Sequence, residues 1–188
     1  MDHFIAAIDN EQIIARALKG SAKDFRELMR RHQNAVYRLA YRILKRREDA
    51  EDVVQETFLR VHQNLAAYAE RGKFWPWARR IAMNICLKRL PSEVPVEEVG
   101  DLLESAQAPE DPVETEVLRR IEAGAVGKAI AGLPATYRAV VVLRYEEDLS
   151  YKEIAELVSE SVSAVETRLH RAKRMLAERL AVVINDEL

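Results

Sequence analysis

The stretch 148–176, DLSYKEIAELVSESVSAVETRLHRAKRML, decides the fold. Ser150 stands where a helix N-cap belongs, and Glu153 follows three residues on, the spacing of a capping box. Ile154, Ala155, Leu157 and Val158 then form the apolar side of a short helix over 151–158. The SES at 159–161 reads as a turn, with Ser161 capping a longer helix from about 162. On that helix Val165, Leu169, Ala172, Leu176 and Leu180 share one stripe, the spacing of a buried face. Arg168, His170, Arg171, Lys173, Arg174 and Arg179 surround it. A short helix, a tight turn and a longer basic helix make the helix-turn-helix plan.

Most basic helix faces are only solvated. A reading helix needs more: polar side chains near its N-terminal end for base edges, and cations nearby for phosphates. Ser163, Glu166, Thr167 and His170 are placed for bases. Arg168, Arg171, Lys173 and Arg174 are placed for phosphates or guanines.

Working outward, the whole chain reads as helical. Its 188 residues hold six Gly and six Pro and are 48% hydrophobic, enough to bury a core. One helix is expected near 2–18 (Ile5, Ile8, Ile13, Ile14, Leu18), ending at Gly20. A second, about 22–45, carries Phe25, Leu28, Met29, Val36, Leu39, Ala40, Ile43 and Leu44. A third, about 48–66, has the cleanest stripe: Ala50, Val53, Val54, Thr57, Phe58, Val61 and Leu65. Glu48, Asp49, Glu51 and Asp52 lie at its positive N-terminal end. The loop YAERGK (68–73) leads to a fourth helix from about Pro76, since proline suits a first turn. Helices over about 116–131 and 134–145 precede the helix-turn-helix.

Between the halves, residues 91–114 hold four of the six prolines and read as a linker, with one weak helical turn near Leu102 and Leu103. The net charge of −2 hides a pattern. Residues 1–90 carry 18 bases against 11 acids, residues 91–118 carry 9 acids and no base, and residues 119–188 carry 11 of each. A basic first part and an acidic middle suggest different partners. The single cysteine, Cys86, excludes a disulfide framework and a cysteine zinc site. His3, His32, His62 and His170 lack metal-ligand spacing, and no catalytic triad or glycine-rich phosphate loop is legible. The expectation is a cytoplasmic non-enzyme without metal or cofactor.

The segment LPATYRAVVVLRYEEDLSYKEIAELV, followed by VSAVETRLHRAKRML, resembles region 4 of the bacterial sigma-70 superfamily. Its tail TRLHRAKRML is similar to the extracytoplasmic-function (ECF) group. Independently, EDAEDVVQETFLRVHQNL resembles region 2.2, and FWPWARRIAMNICLKRL resembles regions 2.3–2.4. The resemblance covers about 10–90 and 116–182. It implies an all-α protein of two small helical domains, a region 2 bundle (1–90) and a region 4 helix-turn-helix (116–188). A flexible acidic linker (91–115) would join them, passing near the RNA exit path of the polymerase.

By this resemblance the chain is an alternative sigma factor. It would bind core RNA polymerase and direct it to promoter DNA, and an anti-sigma factor is a further candidate partner. The polar face of 48–66 would dock on polymerase, through Asp49, Asp52, Gln55, Glu56, Leu59, Arg60 and Gln63. Opening DNA requires capture of an unstacked base and a grip on a single strand. The −10 readers implied are Tyr68, Arg71, Lys73, Trp75, Arg80, Asn84 and Lys88. Phe74 and Trp77 are expected in the core, with Trp75 the better candidate for exposure. The −35 readers implied are Arg144, Tyr151, Lys152, Ser163, Glu166, Thr167, Arg168, His170, Arg171 and Lys173. Val140, Val141 and Leu143 are expected to fill the second core.

Three departures from the family pattern stand out. Ser159 replaces the usual turn glycine, so a strained turn is expected. Glu166 replaces a common base, and an acid there repels phosphate but accepts from a cytosine amino group. The helix before 91 also ends early, which suggests fewer upstream −10 contacts. The rival reading is a stand-alone helix-turn-helix repressor or activator with an N-terminal dimerisation or sensing domain.

Overall fold

The structure, a computed structural model, describes the backbone of residues 2–68, 73–91 and 116–186, and the side chains of 10–68, 73–91 and 124–180. The linker, its expected turn at Leu102 and Leu103, and the candidate Arg71 lie outside the described residues.

Among the described residues eight α-helices follow one another: α1 (Asp2–Leu18), α2 (Ala22–Leu44), α3 (Arg47–Asn64), α4 (Phe74–Lys88), α5 (Glu116–Ala131), α6 (Ala135–Val141), α7 (Tyr151–Val158) and α8 (Val162–Asp186). A 3-10 turn, Leu65–Ala67, closes α3, and a π-helical turn, Val142–Glu146, extends α6. No strand occurs among the described residues.

Local chemistry sets the ends. Gly20, at φ +91°, breaks the chain after α1, and Ser21 caps α2 by accepting from the Asp24 amide at 3.3 Å. The capping box of α7 is complete: Ser150 Oγ accepts from the Glu153 amide at 3.2 Å, and Glu153 accepts from the Ser150 amide at 2.8 Å. Ser161 Oγ accepts from the Ala164 amide at 3.1 Å and caps α8. Ser159 takes the left-handed conformation expected of the turn, at φ 59°, and the amide of Glu160 closes back on Ala155 O at 3.0 Å. A side chain there costs about 1 kcal/mol that glycine would not. The fourth helix starts two residues before Pro76, with the Trp77 amide bonding Lys73 O at 3.1 Å, so Pro76 falls within the first turn, where no donor is missed.

α1 to α4 form the first bundle. The stripe of α3 is buried as the periodicity requires: Ala50, Val53, Thr57, Phe58, Val61 and Leu65 are all under 5% exposed, with Val54 at the margin. α5 to α8 form the second domain, around Leu133, Val140, Val141, Leu143, Ile154, Val165, Leu169 and Ala172. One continuous apolar cluster runs from Val36, Ile43 and Met83 into Val140 and Leu143, so the two domains pack on each other along α2, α4, α6 and α7.

Arg138 sits in this seam at 8% exposure. Its Nε donates to Ile43 O at 2.8 Å, and its Nη1 donates to Ala131 O at 3.1 Å and Leu133 O at 2.8 Å. These are carbonyls at or near the C-terminal ends of α2 and α5, where orphan acceptors and negative helix ends favour a cation.

Candidate nucleic-acid interface

α8 turns Val165, Leu169 and Ala172 into the core. Its 3.6-residue period therefore sends Ser163, Glu166, Thr167, His170, Lys173 and Arg174 to solvent. These include all four residues assigned to base edges. Thr167 Oγ1 donates to Ser163 O at 2.9 Å, which leaves its oxygen free to accept from outside. Arg171 is half-buried at the edge of this face. Lys173 Nζ lies 5.9 Å from the Tyr145 ring centroid. Lys152 is exposed in the first turn of α7.

Three residues grouped with these readers have structural partners. The side chain of Arg168 is only 14% exposed and pairs with Glu160 at 2.8 Å, so it braces α8 against the turn. Arg144 Nη1 donates to Leu149 O at 3.1 Å, and its guanidinium lies 5.4 Å from the Tyr151 ring centroid. Both hold the entry to α7, and Tyr151 is half-buried beneath Arg144.

On the first domain, Phe74 is buried at 2% and Trp77 is half-buried. Trp75, expected on the outside, is also half-buried and stacks on His32, with centroids 5.8 Å apart and planes 8° from parallel. One face of its indole is thus taken. Burial pushes the His32 imidazole below its usual pKa, so the ring in that stack favours the neutral form. Tyr68 is tied down as well: its hydroxyl donates to Glu11 at 2.9 Å and accepts from the Lys73 amide at 3.1 Å. Lys73, Arg80 and Lys88 are exposed, while Asn84 is half-buried. Asn84 and Lys88 line an open groove of about 480 Å³ with Glu156, Ser159, Glu160 and Arg168 opposite.

The outer face of α3 carries Leu59, 57% exposed, with Gln55 and Gln63 exposed beside it. Around it runs an ion-pair network. Glu56 bonds Arg60 at 2.6 Å and Arg89 at 2.9 Å, Asp52 lies 3.6 Å from Arg89, and the Asp49 carbonyl accepts from Arg89 at 3.2 Å. Burial raises the Glu56 pKa, but its bonds to Arg89 and Arg60 outweigh this and hold it below the usual carboxylate range. A large apolar side chain inside such a polar rim suits a protein contact. Arg89, the C-cap of α4, was not among the candidate site residues singled out from the sequence. The signal for its bracing role was the acidic row of α3, but the pairing needed the crossing of the two helices.

No cluster of three His, Cys, Asp or Glu among the described residues is arranged to hold a metal, and no described helix is long and apolar enough to cross a membrane. Cys86 is buried, and burial pushes its thiol up to about 12, which leaves no nucleophile at neutral pH.

A helix-turn-helix with an exposed polar row on its second helix, packed beside a helical bundle that presents Leu59 within a polar rim, is an arrangement that suits a DNA-binding protein. The sequence matches two family models in that order, Sigma-70 region 2 over residues 28–93 and Sigma-70 region 4 over residues 123–176. It is 31% identical over 180 residues to the ECF RNA polymerase sigma factor SigW of Bacillus subtilis, covering 89% of this chain and 94% of that protein. It is 30% identical over 186 residues to the ECF RNA polymerase sigma-E factor of Haemophilus influenzae, covering 92% and 96%. SigE of Mycolicibacterium smegmatis is 37% identical over 158 residues, which cover 82% of this chain and 61% of that relative. The solved structure of CnrH in complex with the cytosolic domain of CnrY has a TM-score of 0.54 at 25% identity, covering 92% of this chain and 97% of that one. RpoE of Bartonella quintana, solved in complex with the anti-sigma factor NepR, shares the fold at a TM-score of 0.53 and 20% identity. The chain belongs to the ECF group of the sigma-70 family of RNA polymerase sigma factors.

Proposed function

We propose that the chain divides the work of promoter recognition between domains 1–90 and 116–188, joined by the segment 91–115. The first docks on core polymerase through the outer face of α3, around Leu59, and grips the −10 strand with α4. The second lays the N-terminal half of α8 in the −35 major groove. Acting on polymerase places the protein in the cytoplasm, and the work requires no covalent step. An anti-sigma partner fits this reading, since the structural neighbour RpoE of Bartonella quintana was solved in complex with the anti-sigma factor NepR.

The observation that carries the reading is the open base-facing row of α8, with Ser163, Glu166, Thr167 and His170 all solvent-facing, on a chain that also holds a region 2 bundle. Reconstitution with core polymerase is the direct test. Leu59→Glu removes an exposed apolar contact without touching the core, so the variant stays folded by circular dichroism. Its affinity for core polymerase is expected to fall at least about tenfold, as for a side chain at the centre of an interface. Specific DNA binding by the free chain, unchanged by polymerase, would favour a stand-alone repressor instead.

The residues of α8 are expected to separate by role. Arg171→Ala weakens promoter binding by roughly 1–3 kcal/mol if it makes a bidentate base contact, and relaxes preference at one base position. Lys173→Ala weakens all sequences alike and lowers the salt slope by about one unit. Glu166→Lys tightens binding generally and blurs specificity. Polymerase-dependent promoter binding at several salt concentrations distinguishes these outcomes. If all three variants bind like the parent, the face is only solvated.

A further inference from the structure

The side of α4 that carries Arg79 and Arg80 meets the second domain, and what it meets is acidic. Arg79 Nη1 donates to the Glu147 carboxylate at 3.1 Å and to Glu147 O at 3.3 Å. Arg80 lies 3.7 Å from Glu156. The Glu153 carboxylate is held low mainly by its bonds to Ser150, with a smaller contribution from the charges of Arg79 and Arg80. Behind this row of carboxylates Met83 and Leu149 are buried at 2% and 6%, so the acids rest on an apolar contact.

The pairs differ in strength. Arg80 and Glu156 are 62% and 51% exposed, and such pairs contribute little in water. Arg79 and Glu147 are 23% and 11% exposed, and burial raises the pKa of Glu147 even against the pull of Arg79. Arg79 also keeps its Nε buried without a hydrogen-bond acceptor. Glu147 therefore uses one arm of a guanidinium whose fork fits two parallel bonds. A phosphate taking Nε and one Nη together would satisfy the donor that the second domain leaves open.

We propose that the second domain docks on the −10 side of α4 as an acidic stand-in for a nucleic-acid backbone, so that single-stranded DNA and the second domain compete for Arg79 and Arg80. This rests on the reading of α4 as the −10 helix. Charge complementarity along Arg79–Glu147 and Arg80–Glu156 aligns the contact, and the Met83–Leu149 packing beneath holds it. The free chain is then closed, and DNA bound on α4 opens it.

Two measurements on the full-length chain test this. Spin labels at Gln33→Cys on α2 and Glu178→Cys on α8 report the spacing of the domains, since the buried Cys86 does not label. The parent is expected to give one narrow distance, and E147K/E156K a longer, broader distribution. The swap R79E/E147R is expected to restore the parental distance that E147R alone loses. Binding to an oligo-dT strand is expected to tighten about tenfold in E147K/E156K. The control E48K/E51K, with the same charge change on the far side of α3, is expected to gain about threefold or less. An unchanged distance in E147K/E156K overturns the docking. Opening with no gain over the control overturns the competition. Failure of the −10 reading itself would show separately, as full polymerase-dependent transcription by R80A/K88A.

Discussion

Leu169→Ala is expected to melt the second domain while the first stays folded. Leu169 is 1% exposed, between Val165 and Ala172 on the buried stripe of α8, and its side chain fills the core that α6 and α7 close. Truncating such a leucine costs about 2–5 kcal/mol, the lost transfer energy plus the cavity left behind. A domain of this size has only about 4–10 kcal/mol in total. Both tryptophans, Trp75 and Trp77, stand in the first domain, which makes the outcome directly readable. In urea, the far-ultraviolet circular dichroism should show an early loss of helix. Tryptophan emission should keep a midpoint near that of the parent, lowered only by whatever the seam between domains contributes. Transcription from a −35-dependent promoter should be lost.

Arg138→Met is expected to cost about 2–4 kcal/mol, because two buried carbonyls and one part-buried carbonyl lose their donor while the space stays filled. Ile43 O belongs to the first domain, whereas Ala131 O and Leu133 O belong to the second. The loss should therefore appear twice, as a lower thermal midpoint of the second domain and as a weaker seam. Arg138→Lys should recover only part of it. Its single ammonium lacks the planar fork that reaches carbonyls on two sides at once. Thermal unfolding followed by circular dichroism gives the first effect, and the label distance between Gln33→Cys and Glu178→Cys gives the second. Equal midpoints for Met, Lys and the parent would show that water satisfies these carbonyls and that Arg138 is not a tie.

Much of the candidate site was legible because its signals are local. The capping box at Ser150 and Glu153 and the cap at Ser161 are contacts within three residues. They fix where α7 and α8 begin, and the stripe of Val165, Leu169 and Ala172 then fixes which residues face out. Arg168 shows the limit of that logic. It sits among cations and next to a buried leucine, and nothing in the order of residues says that it turns to Glu160 rather than to solvent. Trp75 was read outward because Phe74 and Trp77 match the family's core positions, yet His32, on another helix, supplies a flat partner that draws it in.

The sequence by itself determined the helices, their caps and the face each one buries, since a 3.6-residue period and a cap are properties of neighbouring residues. It also carried the family, through two motifs in order. The tertiary structure alone decided what those faces are buried against. The period of α4 marks an apolar side, but only the packing shows that Leu149 of the second domain covers part of it. The pairing of Arg79 with Glu147 spans 68 positions, and the bond from Arg138 to Ile43 spans 95. Such contacts follow from the crossing of helices that meet only when the chain is folded. No local pattern encodes them, because either residue would look the same in the sequence if its partner were water.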